Sequence, residues 1–163
     1  MKVLVVYYTK TGNTEKVARA IYEAIRSEKE LAPIHAVKDV GEYDIIFCGF
    51  PVQAHSVPLP VENFIKTIPA GRKIALFITH GSLPGGQLAF AAIEHAASLA
   101  SQLKVIDTFA CRGKVDPKII EALLDKPEHR TWAETAMSAA DHPTVSDLED
   151  ARQFAKKVTT ILS

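Results

Sequence analysis

The chain has 163 residues, 47% of them hydrophobic and 23% charged, with 19 basic side chains against 19 acidic ones. These are the proportions of one folded globular domain of ordinary size, not of a disordered segment or of a basic nucleic-acid-binding surface, so no nucleic acid partner is expected. The only two cysteines, Cys48 and Cys111, stand far apart, which argues against a disulfide or zinc framework and suits a reducing cytoplasm.

Residues 3–8 form a continuous apolar run rich in β-branched and aromatic residues, the pattern of a strand buried on both faces of a parallel sheet. The run is too short for a secretory signal and leads straight into a polar turn. Val17, Ile21 and Ile25 then recur every four residues beside Ala20 and Ala24, which predicts an amphipathic helix. A weak strand is expected at 34–37 and a clear one at 43–50. A loop carrying Pro51, Pro58 and Pro60 precedes a short helix with Val61, Phe64, Ile65 and Ile68 on one side, ended by Ala70 and Gly71. Residues 73–79 read as another buried strand, 81–86 as a Gly/Pro loop, and 87–100 as a helix with Leu88, Ala92, Ala96 and Leu99 on one face. Residues 74–93 carry no charge, yet Gly81, Pro84, Gly85 and Gly86 interrupt them, so no membrane span is expected.

The fifth strand is expected at 105–111. Asp116 and Pro117 fit the N-cap and first position of a helix. A further helix is expected at 132–140, broken by His142 and Pro143. Ser146 and Glu149 fit a capping box for a terminal helix whose apolar stripe is Leu148, Ala151, Ala155, Val158 and Leu162. Alternating strands and helices predict an α/β class with a parallel sheet and helices on both faces. The whole of 1–163 reads as one domain, with 114–144 as a helical addition before the last helix. Such sheets bind ligands beyond the carboxyl ends of their strands.

The loop after the first strand is Thr9, Lys10, Thr11, Gly12, Asn13 and Thr14. Hydroxyls, an amide and a glycine there meet a helix N-terminus, whose N–H groups lack partners and whose dipole favours an anion. That density of donors between strand and helix points to phosphate rather than to a simple cap. The Walker A spacing is absent, as is GxGxxG, so neither an NTP-hydrolysing loop nor a dinucleotide fingerprint is present.

The run from Tyr8 to Glu15, behind an apolar first strand, resembles the phosphate loop of flavodoxins, and the order of elements agrees over 2–111 and again in the terminal helix. This resemblance implies a flavodoxin-like three-layer sandwich, a five-stranded sheet in the order 2-1-3-4-5, and bound FMN. It places the ring between Pro51, Val52, Gln53, Ala54 and His55 after the third strand and Thr79, His80, Gly81, Ser82, Gly85 and Gly86 after the fourth. Flavodoxins usually carry a stacking aromatic in the first of these loops, where this chain has Val52 and Gln53. His55 either substitutes in part or is an exposed loop histidine. His80 either hydrogen-bonds the flavin or receives a quinone, or it caps a strand end. Gly85, Gly86 and Gln87 are also similar to flavodoxin-like NAD(P)H:quinone reductases.

The resemblance implies an electron carrier that serves a redox partner protein, with an NAD(P)H-dependent quinone or flavin reductase as the alternative. No charged residue occurs in 45–61 or 74–93. Without nearby carboxylates to repel a reduced, anionic ring, the second electron is expected to enter at a less negative potential than in acidic flavodoxins. No glycine is available in 52–55 for the peptide flip that favours one-electron chemistry. Replacing Thr11 and Thr14 by Val is expected to weaken FMN binding and leave the fold intact.

Arg112 either holds an anionic ring edge or substrate carboxylate or is a surface arginine. Cys48 and Cys111 read as buried structural residues more readily than as a redox pair. The addition at 114–144 either covers the ligand or docks a partner, or it packs on the sheet edge with Trp132 as anchor. The six histidines lack metal-ligand spacing and no metal is expected; no GxSxG nucleophile signature occurs.

Overall fold

The computed structural model describes residues 1–54, 56–83 and 86–163, and the Leu88 side chain lies outside that description. Five parallel strands, β1 (Lys2–Tyr7), β2 (Glu28–Pro33), β3 (Ile45–Pro51), β4 (Lys73–His80) and β5 (Lys104–Arg112), form one sheet in the order β2-β1-β3-β4-β5. The helices are α1 (Asn13–Ala24), α2 (Leu59–Thr67), α3 (Gln87–Leu99), α4 (Pro117–Leu124), α5 (Arg130–Met137) and α6 (Val145–Leu162).

Successive strand side chains point to opposite faces, so each central strand feeds two cores. Leu4, Val6, Ile46, Cys48, Phe50, Leu76 and Ile78 meet Val61, Phe64 and Ile65 of α2 and Ala96 of α3. Val3, Val5, Phe47, Phe77 and Cys111 meet Val17 and Ile21 of α1 and Ala151, Phe154, Ala155 and Val158 of α6. Each fully buried aliphatic or aromatic side chain contributes roughly 1.5–3 kcal/mol relative to exposure. Phe154 joins the second core by stacking on Phe109, with centroids 5.5 Å apart, and by meeting Phe47 edge-on at 5.7 Å. The two cysteines therefore sit in different cores on opposite faces of the sheet. Burial pushes both thiols up to about 12, so neither carries thiolate character at neutral pH.

Three expectations are corrected. The second strand is 28–33, not 34–37; Ile34–Ala36 form a single 3-10 turn behind it. As an edge strand it has one neighbour and exposes Glu28 and Glu30, a charged edge that resists pairing with another chain. Its polar alternation hides it from a search for apolar runs. The capping box of α6 is Thr144 with Asp147, not Ser146 with Glu149. Thr144 is extended and accepts from the Asp147 N–H at 3.2 Å, while the Asp147 carboxylate accepts from the Thr144 N–H at 2.7 Å. Glu149 instead accepts from the Gln153 amide. The fifth helix also begins earlier than expected, at Arg130. Among the described residues, no helix is long and apolar enough to cross a membrane.

Candidate functional site

The strand order places the site. β1 and β3 are neighbours, yet the chain leaves β1 toward α1 on one face and β3 toward α2 on the other. The loops beyond their carboxyl ends diverge and leave a crevice. A cavity of about 610 Å³ occupies it, within the usual range of small-molecule sites.

One end of the cavity is the loop between β1 and α1, with Thr9, Lys10, Thr11, Asn13 and Thr14 on its lining. Gly12 lies outside the lining and provides the turn: its φ is 93°, a left-handed conformation that a side chain disfavours. The Gly12 N–H donates to Thr9 Oγ1 at 3.0 Å, folding the loop back on itself. The first-turn N–H groups of α1 have no intrahelical acceptor and carry the positive end of the helix dipole. Thr11 is exposed. Thr14 is buried, and its hydroxyl shares a 2.9 Å hydrogen bond with the Thr79 hydroxyl of β4. Thr14 thus ties two cavity loops together, which separates its role from that of Thr11.

Pro51, Val52, Gln53 and Ala54 line a second side. Gln53 and Ser56 exchange both backbone hydrogen bonds, at 3.0 and 2.9 Å, and Ala54 takes a φ of 46°. Left-handed backbone costs a non-glycine residue roughly 1–2 kcal/mol, so this loop holds strain beside the cavity. Thr79, His80, Gly81 and Ser82 line the third side. Gly86 stands at the N-cap of α3, outside the lining among the described residues, and His55 and Gly85 lie outside the described residues.

His80 is buried, and its Nδ1 has no hydrogen-bond partner among the described residues. Loss of hydration pushes its pKa below the usual imidazole value; hydrogen bonding to the Ser82 backbone partly opposes this and the Arg112 charge reinforces it. His80 is therefore neutral at neutral pH; the residue lines the cavity, while its unsatisfied Nδ1 is itself a buried atom. A buried polar atom without a partner is costly.

The fourth side comes from the segment after β5 and is the part that sequence reasoning left open. Val115, Asp116, Ile119, Leu123, Glu128, His129 and Trp132 all line the cavity. The Asn13 side-chain amide donates to the Lys114 carbonyl at 2.8 Å, binding the segment to the first loop. Gly113 and Lys114 donate to the carbonyls of His80 and His142 at 2.8 and 2.9 Å. A Cβ on Gly113 would stand 3.0 Å from Asn13 Nδ2, so a glycine there permits the close approach.

Arg112 is neither a surface arginine nor a ligand to the cavity. It is buried, and its guanidinium donates to Ser82 O (2.9 Å), Gly81 O (3.2 Å), Thr135 O (3.1 Å) and Ser138 Oγ (2.8 Å). It braces α5 against the loop after β4. The added segment also brings two carboxylates, Asp116 and Glu128, to a cavity whose loops after β3 and β4 have none; Lys10 and Lys114 on the same lining balance them.

The comparisons with known proteins agree with this fold. The flavodoxin domain profile matches residues 4–156. A flavodoxin-like domain-containing protein BilS of Clostridioides difficile is 30% identical over 97% of this chain and 96% of its own length. A flavoprotein from Lactobacillus acidophilus, crystallised in complex with FMN, is 21% identical with a TM-score of 0.57, covering 67% of this chain and 92% of its own. An azoreductase from Bacillus anthracis has a TM-score of 0.63 at 16% identity, over 96% of this chain and 99% of its own. With its profile matched over nearly the full length and its sheet order in place, the chain belongs to the flavodoxin domain family.

Proposed function

We propose that the protein binds FMN in the crevice beyond β1, β3 and β4 and passes electrons to a redox partner protein. The observation that carries the reading is one cavity joining the hydroxyl-rich N-terminus of α1 to two uncharged loops and a mixed wall of apolar and charged residues from the added segment. Thr9, Thr11 and the first-turn N–H groups of α1 hold the phosphate, with Lys10 supplying positive charge at the exposed end. Residues 51–54 and 79–82 flank the ring. The bound flavin supplies the redox chemistry itself. The chain binds it, orients it and keeps its surroundings close to neutral. Leu83 and Ile119, 55% and 50% exposed, leave apolar surface near the mouth, the kind of surface on which a partner docks. An NAD(P)H-dependent quinone or flavin reductase is the competing outcome.

Thr11→Val removes one exposed hydroxyl, which accepts a long, exposed 3.3 Å bond from Asn13 Nδ2, and no hydrogen bond of the core. It is expected to weaken FMN binding about tenfold, the worth of one hydrogen bond to a charged group, without changing the melting temperature of the apoprotein. Thr14→Val is expected to lower stability as well, by about 1–3 kcal/mol, because it leaves the buried Thr79 hydroxyl unpaired. Calorimetric titration with FMN checks the affinities and thermal melting of the apoproteins checks the stabilities; full affinity in Thr11→Val refutes the phosphate placement.

A further inference from the structure

We propose that the segment 114–144 supplies the flat wall of the flavin site, with the Trp132 indole as its stacking face. The inference rests on the FMN reading above and deepens it: the aromatic platform comes from an added segment, not from the loop after β3. Val52 and Gln53 carry no aromatic ring and His55 lies outside the described residues, whereas Trp132 lines the same cavity from α5. Ile119 and Leu123 of α4 extend the wall.

The wall is held in place at both ends. A Cβ built on Gly81 would stand 2.3 Å from Val115 Cγ2 and 3.8 Å from Trp132 Cζ2, so the wall closes onto the loop after β4 because a glycine is there. The Asn13 bond to Lys114 fixes its start against the phosphate loop. The Arg112 brace fixes α5, and with it Trp132, against Gly81 and Ser82. Trp132 is half-buried and lines the cavity. A large flat ring held at fixed distance is what a planar aromatic ligand stacks on, by area buried and by offset π contact.

Trp132 is the only tryptophan of the 163 residues, so its emission reports the wall alone. Titration of the apoprotein with FMN is expected to quench most of that emission in step with binding. Trp132→Ala is expected to weaken FMN and riboflavin alike, by roughly tenfold to a hundredfold, while Trp132→Phe keeps most of the affinity. In Thr11→Val, by contrast, the preference for FMN over riboflavin narrows. FMN binding with unchanged tryptophan emission in the wild type overturns the wall whether or not the variants fold, as does full riboflavin affinity in a folded Trp132→Ala. No FMN binding to the wild type overturns the FMN reading and the wall with it.

Discussion

Arg112→Met is expected to lower the unfolding free energy by about 3 kcal/mol, on the scale of a buried, charge-assisted hydrogen-bond network losing its donor. The side chain is 7% exposed and serves four acceptors, three of them backbone carbonyls on two elements. Methionine keeps much of the volume and none of the donors, so the carbonyls of Gly81, Ser82 and Thr135 lose a partner in a site with little water. For a domain of this size the midpoint of thermal melting is expected to fall by roughly 6–12 °C. Arg112→Lys is expected to recover only part of this, because a single ammonium cannot span a fork of four acceptors. Denaturant unfolding measures both. A loss below about 1 kcal/mol in Arg112→Met would show that the brace is dispensable, and with it the anchoring of α5 to the loop after β4.

Gly49→Ala is expected to be the more damaging change. Gly49 on β3 pairs with Phe77 on β4, and the Phe77 ring lies over the Gly49 backbone. A Cβ there would stand 1.9 Å from Phe77 Cε2 and 2.1 Å from Cζ, far inside contact distance. Phe77 is fully buried in the core beneath α1 and α6, with no open side to move into. Inserting atoms into such a core costs typically about 1–3 kcal/mol and more when the neighbour cannot give, so a loss of at least about 3 kcal/mol is expected. Phe77→Leu in the same chain removes the clashing ring edge. The double variant is therefore expected to be more stable than the sum of the single losses allows. Stability of Gly49→Ala within about 1 kcal/mol of wild type would contradict the packing described here.

How far the sequence reveals the molecule follows from what each element depends on. β1, β3 and β4 are buried on both faces, so unbroken apolar runs mark them. The stripe of α1 and the donor-rich turn before it are local patterns, and both fold as the sequence suggests. β2 escapes because an edge strand needs little apolar sequence; its place is set by pairing with β1, from Lys2 with Glu28 to Tyr7 with Pro33. The capping box moves by two residues because Thr144-x-x-Asp147 and Ser146-x-x-Glu149 are nearly equivalent as patterns, and only the backbone geometry decides between them.

The fourth side of the cavity is illegible for a different reason. Trp132 and Asn13 are 119 positions apart, and the strap between Asn13 and Lys114 joins a side chain to a backbone carbonyl. No residue pattern announces a carbonyl acceptor. The same holds for Arg112, whose partners include three of them. The one local signal was Trp132 itself, the lone tryptophan of the chain.

The most direct test of the account is an anaerobic, stepwise reduction of the FMN-loaded protein followed by absorption spectroscopy. The electron-carrier reading predicts that a half-reduced flavin spectrum, distinct from any mixture of the oxidised and fully reduced forms, accumulates before reduction is complete, even though residues 52–55 hold no glycine and the loops after β3 and β4 hold no carboxylate to favour it. Direct conversion from oxidised to fully reduced flavin would contradict it and favour two-electron reductase chemistry at the same site.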